Sequence, residues 1–445
     1  MLEINELLAA TKGKLLQGKR SALVKGISID SRSIRPGEAF VAIKGNNFDG
    51  HNFLAQAVEK GAGAVVASCV MRHASCVKIP VIQVKDTTRA LGDIGRFQRE
   101  KYGLPLIAVT GSNGKTTTKD ITAWLFAEDF CVLKNPGTKN NHIGLPMALS
   151  GLNSAHRLAV VEIGTNHPGE VAYLSRIAGP NIGIITNIGC AHLEYFKDLA
   201  GVLKEKSALF VSLRAPRIAV LNADDCSLRQ YISREDKKIR VFSFGIKNKA
   251  DFRASGIESR NGKTEFYLNK KNKCSLNTPG AFNVYNALAA AAVARLMGLG
   301  YRRIAEQMSS FVFPPGRLNL VRINNIRFID DTYNSNPLSL KSSLEALAGL
   351  RVAGKKILVM GDMLELGKGG EEFHCRAGAD AAKTCDVLVA VGELSRLAAD
   401  GARQNGIPAS HIFTCASAAE ARELLCKKIL PGRDDIVLVK GSRAM

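Results

Sequence analysis

No C-x-x-C pair occurs among the ten cysteines of the 445-residue chain. Nothing therefore points to a zinc site, and the scattered thiols are expected to be free in a reducing compartment. No window approaches the ~20 uncharged apolar residues that a membrane span requires; the most apolar helical stretch, Ala287 to Gly300, is broken by Arg295. The start, MLEINELLAATKGKLL, carries Glu3 and Glu6 and lacks the basic segment and apolar run of a secretory leader, so a cytoplasmic protein is expected. Low-complexity tracts and internal repeats are missing too. Acidic residues are scarce, with 40 Asp and Glu against 61 Lys and Arg and a net charge of +21. That charge can be a solvated basic surface, an attraction for anionic small substrates, or a nucleic-acid face. The dispersed cations, and the lack of any helix-turn-helix, zinc-finger or RNP-like segment, weigh against the last.

What is present is an ordinary globular composition, 46% hydrophobic and 23% charged, with length for about three domains. From Ile107 onward short apolar runs alternate with helical patterns, as in a parallel sheet covered by helices. Leu106 to Thr110, Leu158 to Ile163 and Ile182 to Asn187 read as buried strands with polar ends. Open α/β sheets bind ligands at the carboxyl ends of their strands, so these ends are expected to share one crevice. The pattern restarts after FVFPPGR, Phe311 to Arg317, where two prolines and a glycine suit a linker. Apolar runs within RFIDDTYN, KKILVMGDM, DVLVAVGE and DIVLVKGS predict a second α/β domain. The first hundred residues, with shorter strands and turns, predict a small α+β domain. The expected fold class is α/β in three domains: residues 1–100, a central P-loop ATPase-like domain over 101–313, and a Rossmann-like domain over 314–445.

Between the first of these strands and its helix stands AVTGSNGKTTTKD, Ala108 to Asp120. It is shorter than the usual G-x-x-x-x-G-K-[ST] loop, with Val109 where that pattern wants glycine. Gly111 and Gly114 let the backbone approach a phosphate, Ser112 and Asn113 complete the turn, and the amides at the helix start point at the ligand. Lys115 can reach terminal phosphate oxygens, and Thr116, beside Thr117, offers a hydroxyl to Mg²⁺. A bare strand-to-helix turn would gain nothing from the run Thr116 to Thr118, since threonine serves helices poorly.

The short loop G-x-x-G-K-T followed by an E-x-G strand end resembles the ATP-binding domain of the Mur ligases, a family that joins an amino acid or peptide to a nucleotide-linked carboxylate. Other segments extend the resemblance over almost the whole chain. VVEIGTNHPGE, Val160 to Glu170, resembles the segment whose glutamate, here Glu162, binds magnesium. TNIGCAHLE, Thr186 to Glu194, resembles the one that brings a histidine, here His192, to a second magnesium. GAFNVYNALAA resembles an N-x-x-N motif, which implies that Asn283 and Asn286 read adenine, with Phe282 stacking where many relatives carry histidine. PPGR and IDDTYNSNP resemble segments that close over ATP, implying roles for Arg317 and Asp331. Lys206, in GVLKEKSALF, aligns with a lysine that the family carries as a carbamate; Lys204 is the competing position. A bare ammonium beside two magnesium ions would be repelled, whereas a carbamate would help to neutralise them. Read without the resemblance, Glu162 could be a solvated loop carboxylate, His192 a satisfied core histidine and the two asparagines helix-capping groups.

The outer domains carry the substrate reading. IDSRSIRPGEAFVAIKG and FDGHNF resemble the family's uridine-diphosphate-binding domain, implying UDP-sugar contacts from Ser31, Arg32, Asp49 and His51; simple turn chemistry is the alternative. TKNNHIGLP and DDTYNSNP resemble segments of the branch that adds a terminal dipeptide, and the D-N-P-R motif of the diaminopimelate-adding branch is absent. The resemblance implies UDP-N-acetylmuramoyl-tripeptide and D-alanyl-D-alanine as small-molecule substrates, ATP and Mg²⁺ as cofactors, no nucleic-acid or membrane partner, and a monomer. Asn140 and Asn141 are expected at the substrate, and Tyr333, Asn334 and Asn336 at ATP or the incoming dipeptide. Relatives continue as a last helix beyond LVKGSRAM, where this chain ends at Met445. The implied chemistry is phosphoryl transfer assisted by Lys115, then attack of an amine on the acyl phosphate, under a C-terminal domain that closes about Pro314. Two rivals remain. A folylpolyglutamate-synthetase-like ligase would share the central ATPase without the UDP-type domain. A nucleotide-switched, nucleic-acid-binding protein would give no reason for Glu162, His192 and Lys206.

Overall fold

Strands buried on both faces read as unbroken apolar runs, and Leu106–Thr110 (LIAVT) is fully buried. In the computed structural model, which describes residues 1–69, 78–190, 192–233, 238–260 and 262–445, this strand belongs to a nine-stranded sheet. Parallel neighbours flank it: His156–Glu162 and Cys131–Lys134 on one side, Ile182–Ile185, Ile218–Asn222 and Arg240–Gly245 on the other. Ile107 and Val109 face one apolar core, Leu106 and Ala108 the other. The first core holds the helix Phe282–Leu296, whose alanines are buried all round and receive the helix Lys115–Phe126. Sequence reading missed the antiparallel extension Phe252–Arg260, Lys263–Leu268 and Asn272–Leu276. Its signal was available: KTEFYL alternates exposed and buried residues at the strand period of two.

The N-terminal sheet has five strands, in which Ile27–Ser28, Ala39–Val41, Ala64–Ala67 and Val81–Gln83 run parallel and Lys14–Gln17 closes one edge antiparallel. The helix Thr87–Tyr102 packs its Ala90, Leu91 and Ile94 into that domain's core and leads directly into Leu106–Thr110. Residue 100 therefore lies within a helix. The C-terminal sheet has six strands, in the order Asn319–Ile323, Ile326–Asp330, Ile436–Lys440, Lys356–Gly361, Val387–Val391 and Ile412–Cys415; all but the first are parallel. The carboxyl ends of central and C-terminal strands line one cleft of about 400 Å³, as the crevice rule requires. Among the described residues no helix is long and apolar enough to cross a membrane.

Candidate active site

The short loop is a tight cradle that only glycine can form. Gly111 and Gly114 hold φ of 141° and 80°, values disfavoured for side chains, and a Cβ on Gly114 would meet Asn286 Oδ1. The strand end at Asn187 holds the loop from beneath, its backbone oxygen accepting from Ser112 N and its Oδ1 from Asn113 N, both at 2.9 Å. Those two amides are consequently not free for a phosphate, which corrects the simplest picture of the cradle. The first turn of Lys115–Phe126 still supplies its own amides. Lys115 Nζ folds back onto the carbonyls of Gly111 and Ser112, at 2.9 and 3.1 Å. Burial lowers its pKa, Glu162 opposes that shift and Arg317 adds to it.

Thr116 and Glu162 meet at the cleft floor. The Thr116 hydroxyl donates to Glu162 Oε2 at 2.7 Å, and Asn140 Nδ2 donates to Oε1 at 2.6 Å. Glu162 is 1% exposed, so the solvated-carboxylate alternative is set aside. Behind it, Asn135 pairs with both backbone groups of Glu162, and the fully buried Lys119 donates to the carbonyls of Asn135 and Gly137, each at 2.9 Å. This support was not seen in the sequence, where Lys119 stands in the same GKTTTK run without a role. Thr116 and Glu162 offer hard oxygen donors that suit magnesium, with the Asn140 amide nitrogen holding Glu162 in place. Thr117 also faces the cleft.

The second metal set is not assembled. Among the described residues no group of three or more His, Cys, Asp or Glu side chains could hold a metal ion. His192, at φ 56°, turns its Nδ1 to within 2.7 Å of Glu365 Oε2, close enough for an ion pair though not aligned as a hydrogen bond. Burial lowers its pKa, with Lys115 and Lys206 adding and Glu365 opposing. Lys206 is 3% exposed and does not line the cleft. Burial, reinforced by Lys115, holds its amine well below the usual lysine range against the pull of Glu205 and Glu162. Its neighbour Glu205 instead caps the segment after Glu162, accepting from the amides of Gly169 and Val171 at 2.7 and 2.8 Å.

Asn283 lines the cleft beside Phe282, whereas Asn286 lies behind the wall. Asn286 accepts from Thr118 Oγ1 at 3.2 Å and donates to Asn283 Oδ1 at 3.0 Å, so its amide braces the loop and its neighbour. From the C-terminal domain, Arg317 Nη2 donates to Thr116 Oγ1 at 3.0 Å and its guanidinium lies 4.0 Å from the Tyr333 ring centroid. Asp331 is held in an ion pair with the buried Lys440, which also donates to the Asn334 carbonyl at 3.0 Å. Asn336 caps the helix Pro337–Ala348 and forms a reciprocal amide pair with Asn113, at 2.8 and 3.1 Å. The loop is thereby tied across the domain boundary.

Other expected contacts lie apart from this cleft. Asn141 lines no part of it and holds the turn before Gly144–Ser150, its Oδ1 accepting from Gly144 N at 2.9 Å. In the N-terminal domain Ser31 donates to Gln56 Oε1 at 2.6 Å, and Arg32 is paired with Asp30 at 2.8 Å. His51 is wedged between Asp49 Oδ1, 2.6 Å from Nδ1, and Ser68, whose amide donates to Nε2 at 3.0 Å. All four side chains are engaged within the N-terminal domain, Ser31 and His51 with residues distant in sequence, and none lines the central cleft. Lys440, Glu365 and Arg443, which do line it, were missed. Lys440 ends a strand in the same way as Glu162 and could have been found by that rule.

A phosphate loop, a hydroxyl and carboxylate set for magnesium, and a second α/β domain reaching onto the loop define an ATP-utilising enzyme of three-domain ligase type. The chain belongs to the Mur ligase family. Its residues 109–294 match the Mur ligase middle domain, 316–443 the Mur ligase, glutamate ligase domain, and 23–99 the Mur ligase family, catalytic domain. It is similar to the UDP-N-acetylmuramoyl-tripeptide–D-alanyl-D-alanine ligase of Escherichia coli, at 34% identity over 96% of this chain and 93% of that one. The crystal structure of MurF from Acinetobacter baumannii superposes with a TM-score of 0.90 at 33% identity, covering 99% of this chain and 96% of that one. The MurF ligase of Thermotoga maritima in complex with ADP gives 0.83 at 28% identity, covering 95% of each.

Proposed function

We infer that the chain is an ATP-dependent ligase that joins D-alanyl-D-alanine to UDP-N-acetylmuramoyl-tripeptide, in cytoplasmic synthesis of peptidoglycan precursors. The observation that carries this reading is that relatives bearing that name match the chain in all three domains, at 34% identity over 444 residues for the first. Chemically, a carboxylate oxygen of the tripeptide attacks the γ-phosphorus of ATP and expels ADP, giving an acyl phosphate. The dipeptide amine then attacks the acyl carbon, a proton is lost, and phosphate leaves with the acyl oxygen. Lys115 and Arg317 stabilise charge on the transferring phosphoryl group, which is mainly a matter of positioning and electrostatics. Thr116 and Glu162 hold magnesium, which supplies further neutralisation when bound. Asn283 and Phe282 take the adenine, and Asn286 acts through Asn283. Asn140 orients Glu162, while Tyr333 fixes the plane of Arg317. Ser31, Arg32, Asp49 and His51 shape the UDP-sugar turn in the N-terminal domain, in keeping with their position away from the cleft. The first domain boundary is placed just past residue 100, after the helix Thr87–Tyr102, and the second at residue 313.

Lys206 is the seat of a carbamate in this reading. Only a neutral amine adds to CO₂, forming a C–N bond and losing one proton, and burial favours the neutral form of this amine. The product would place an anion near Lys115 where the unmodified side chain carries an amine. Phosphate release from ATP and Mg²⁺, with each substrate omitted in turn and product masses read alongside, tests the whole reading. Phosphate and a UDP-pentapeptide should appear together only when both substrates are present. Hydrolysis that ignores both substrates and responds to folate, glutamate or nucleic acid would contradict it.

A further inference from the structure

Three carboxylates line the cleft, Glu162, Asp331 and Glu365, along with four lysine or arginine side chains, Lys115, Arg317, Lys440 and Arg443. Most of these groups are committed. Glu162 accepts from Thr116 and Asn140, and Asp331 holds Lys440. Lys115 donates to loop carbonyls, and Arg317 to Thr116. Glu365 and Arg443 remain. The Glu365 side chain is 51% exposed, and its one ion-pair partner among the described residues is His192, which is charged only when protonated. Arg443 is exposed, and among those residues it pairs with no acid; its guanidinium lies 6.0 Å from the Tyr333 ring centroid.

The two groups stand on loops that are stitched together. Leu364 N donates to Ser442 Oγ at 3.0 Å, and Ser442 N donates to the Asp362 carbonyl at 3.1 Å. Met363 N donates to Nε2 of the buried His374 at 2.9 Å, fixing the same turn from a third side. Glu365 itself holds φ 63°, a conformation that a non-glycine residue keeps only where its surroundings over-determine it. One side of the cleft therefore presents a rigidly carried carboxylate and, on the adjoining loop, an uncommitted guanidinium.

A dipeptide in neutral water is a zwitterion, with an ammonium at one end and a carboxylate at the other. We propose that Glu365 binds the ammonium and Arg443 the carboxylate of the incoming D-alanyl-D-alanine, so that this pair selects the second substrate; the proposal rests on the ligase reading above. The planar fork of arginine suits a carboxylate in two parallel hydrogen bonds. Neither group contributes to phosphoryl transfer, which belongs to Lys115, Thr116 and Glu162 on the opposite wall and to Arg317, which reaches across to Thr116.

Glu365→Gln and Arg443→Gln test the pair in the full-length protein, both positions being too exposed for the fold to depend on them. In each variant the KM for D-alanyl-D-alanine should rise about ten- to a hundredfold, as for the loss of one hydrogen-bonded charge pair, with the KM values for ATP and the UDP-tripeptide unchanged. Arg443→Gln should also lose the preference of the unaltered protein for D-alanyl-D-alanine over D-alanyl-D-alaninamide. Both variants should form the acyl hydroxamate at the normal rate when hydroxylamine, a small neutral nucleophile, replaces the dipeptide. An unchanged dipeptide KM, an equal rise in the KM for ATP, or a retained preference for the acid over the amide would overturn the pair. Absence of ligation by the unaltered protein would overturn the ligase reading itself, and the pair with it.

Discussion

The two walls of the cleft are built on opposite plans. On the central-domain wall Lys115, Thr116 and Glu162 are bonded to one another's surroundings, and a further shell of Asn135, Lys119 and Asn286 fixes them from behind. On the C-terminal wall the supporting turns are equally fixed, but Glu365 and Arg443 project outward without committed partners of opposite charge beyond His192. A phosphate chain and its metal are the same in every turnover, so a rigid, fully bonded frame suits them. A second substrate must enter and be chosen, which suits open charges carried on stiff loops. The difference assigns phosphoryl transfer to the central wall, with Arg317 reaching onto it from the C-terminal domain, and selection of the amine to Glu365 and Arg443.

The most damaging change to this division should be Lys115→Ala. Turnover is expected to fall at least about 10²- to 10³-fold, as for removal of a preorganised charge at a transition state, with the thermal unfolding midpoint preserved. Near-normal pentapeptide formation, followed by mass, would remove the loop lysine from the mechanism. Lys206→Ala should lower activity by roughly ten- to a hundredfold. Small carboxylic acids should partly restore it and added bicarbonate should not; a fully active variant would end the carbamate assignment. A ¹³C resonance from labelled CO₂ on the unaltered protein, absent from the variant, gives a readout independent of turnover.

Lys119→Met probes the shell behind Glu162. The buried carbonyl of Asn135 and the carbonyl of the exposed Gly137 lose their donor, so the protein should be destabilised by about 1–3 kcal/mol. The magnesium concentration for half-maximal activity should rise about tenfold, by analogy with groups that orient metal ligands. A loss of stability with no change in magnesium dependence would make Lys119 a purely structural residue. The smallest effect is expected at the tie between the walls. Asn336→Ser keeps a helix cap while breaking the amide pair with Asn113. A double-mutant cycle with Asn113→Ala, read by unfolding, should give a coupling of about 0.5–1.5 kcal/mol. Strict additivity would mean that the contact does not hold the domains together.

The same contrast explains what the sequence could reveal. The central wall is written in short segments: Gly111, Gly114, Lys115 and Thr116 lie within one turn, and Glu162 ends an apolar strand. Their spacing is therefore visible without knowing the fold. The other wall is gathered from the ends of three strands, at Asp331, Glu365 and Arg443, whose adjacency depends on Ile436–Lys440 lying between Ile326–Asp330 and Lys356–Gly361. No local pattern records that order. Asn286 was legible as a residue of the site but not in its role, because bracing and reading adenine both ask for an amide at a helix start. Asp49 and His51 were legible as a motif, while their mutual pairing needed coordinates.

The claim that the walls divide the work is tested most directly by hydroxylamine trapping of the acyl phosphate from ATP, Mg²⁺ and UDP-N-acetylmuramoyl-tripeptide, without dipeptide. The unaltered protein and Glu365→Gln should form the hydroxamate at the same rate, and Lys115→Ala should form it at least about 10²-fold more slowly. Near-normal hydroxamate formation by Lys115→Ala, or its loss in Glu365→Gln, would contradict the account.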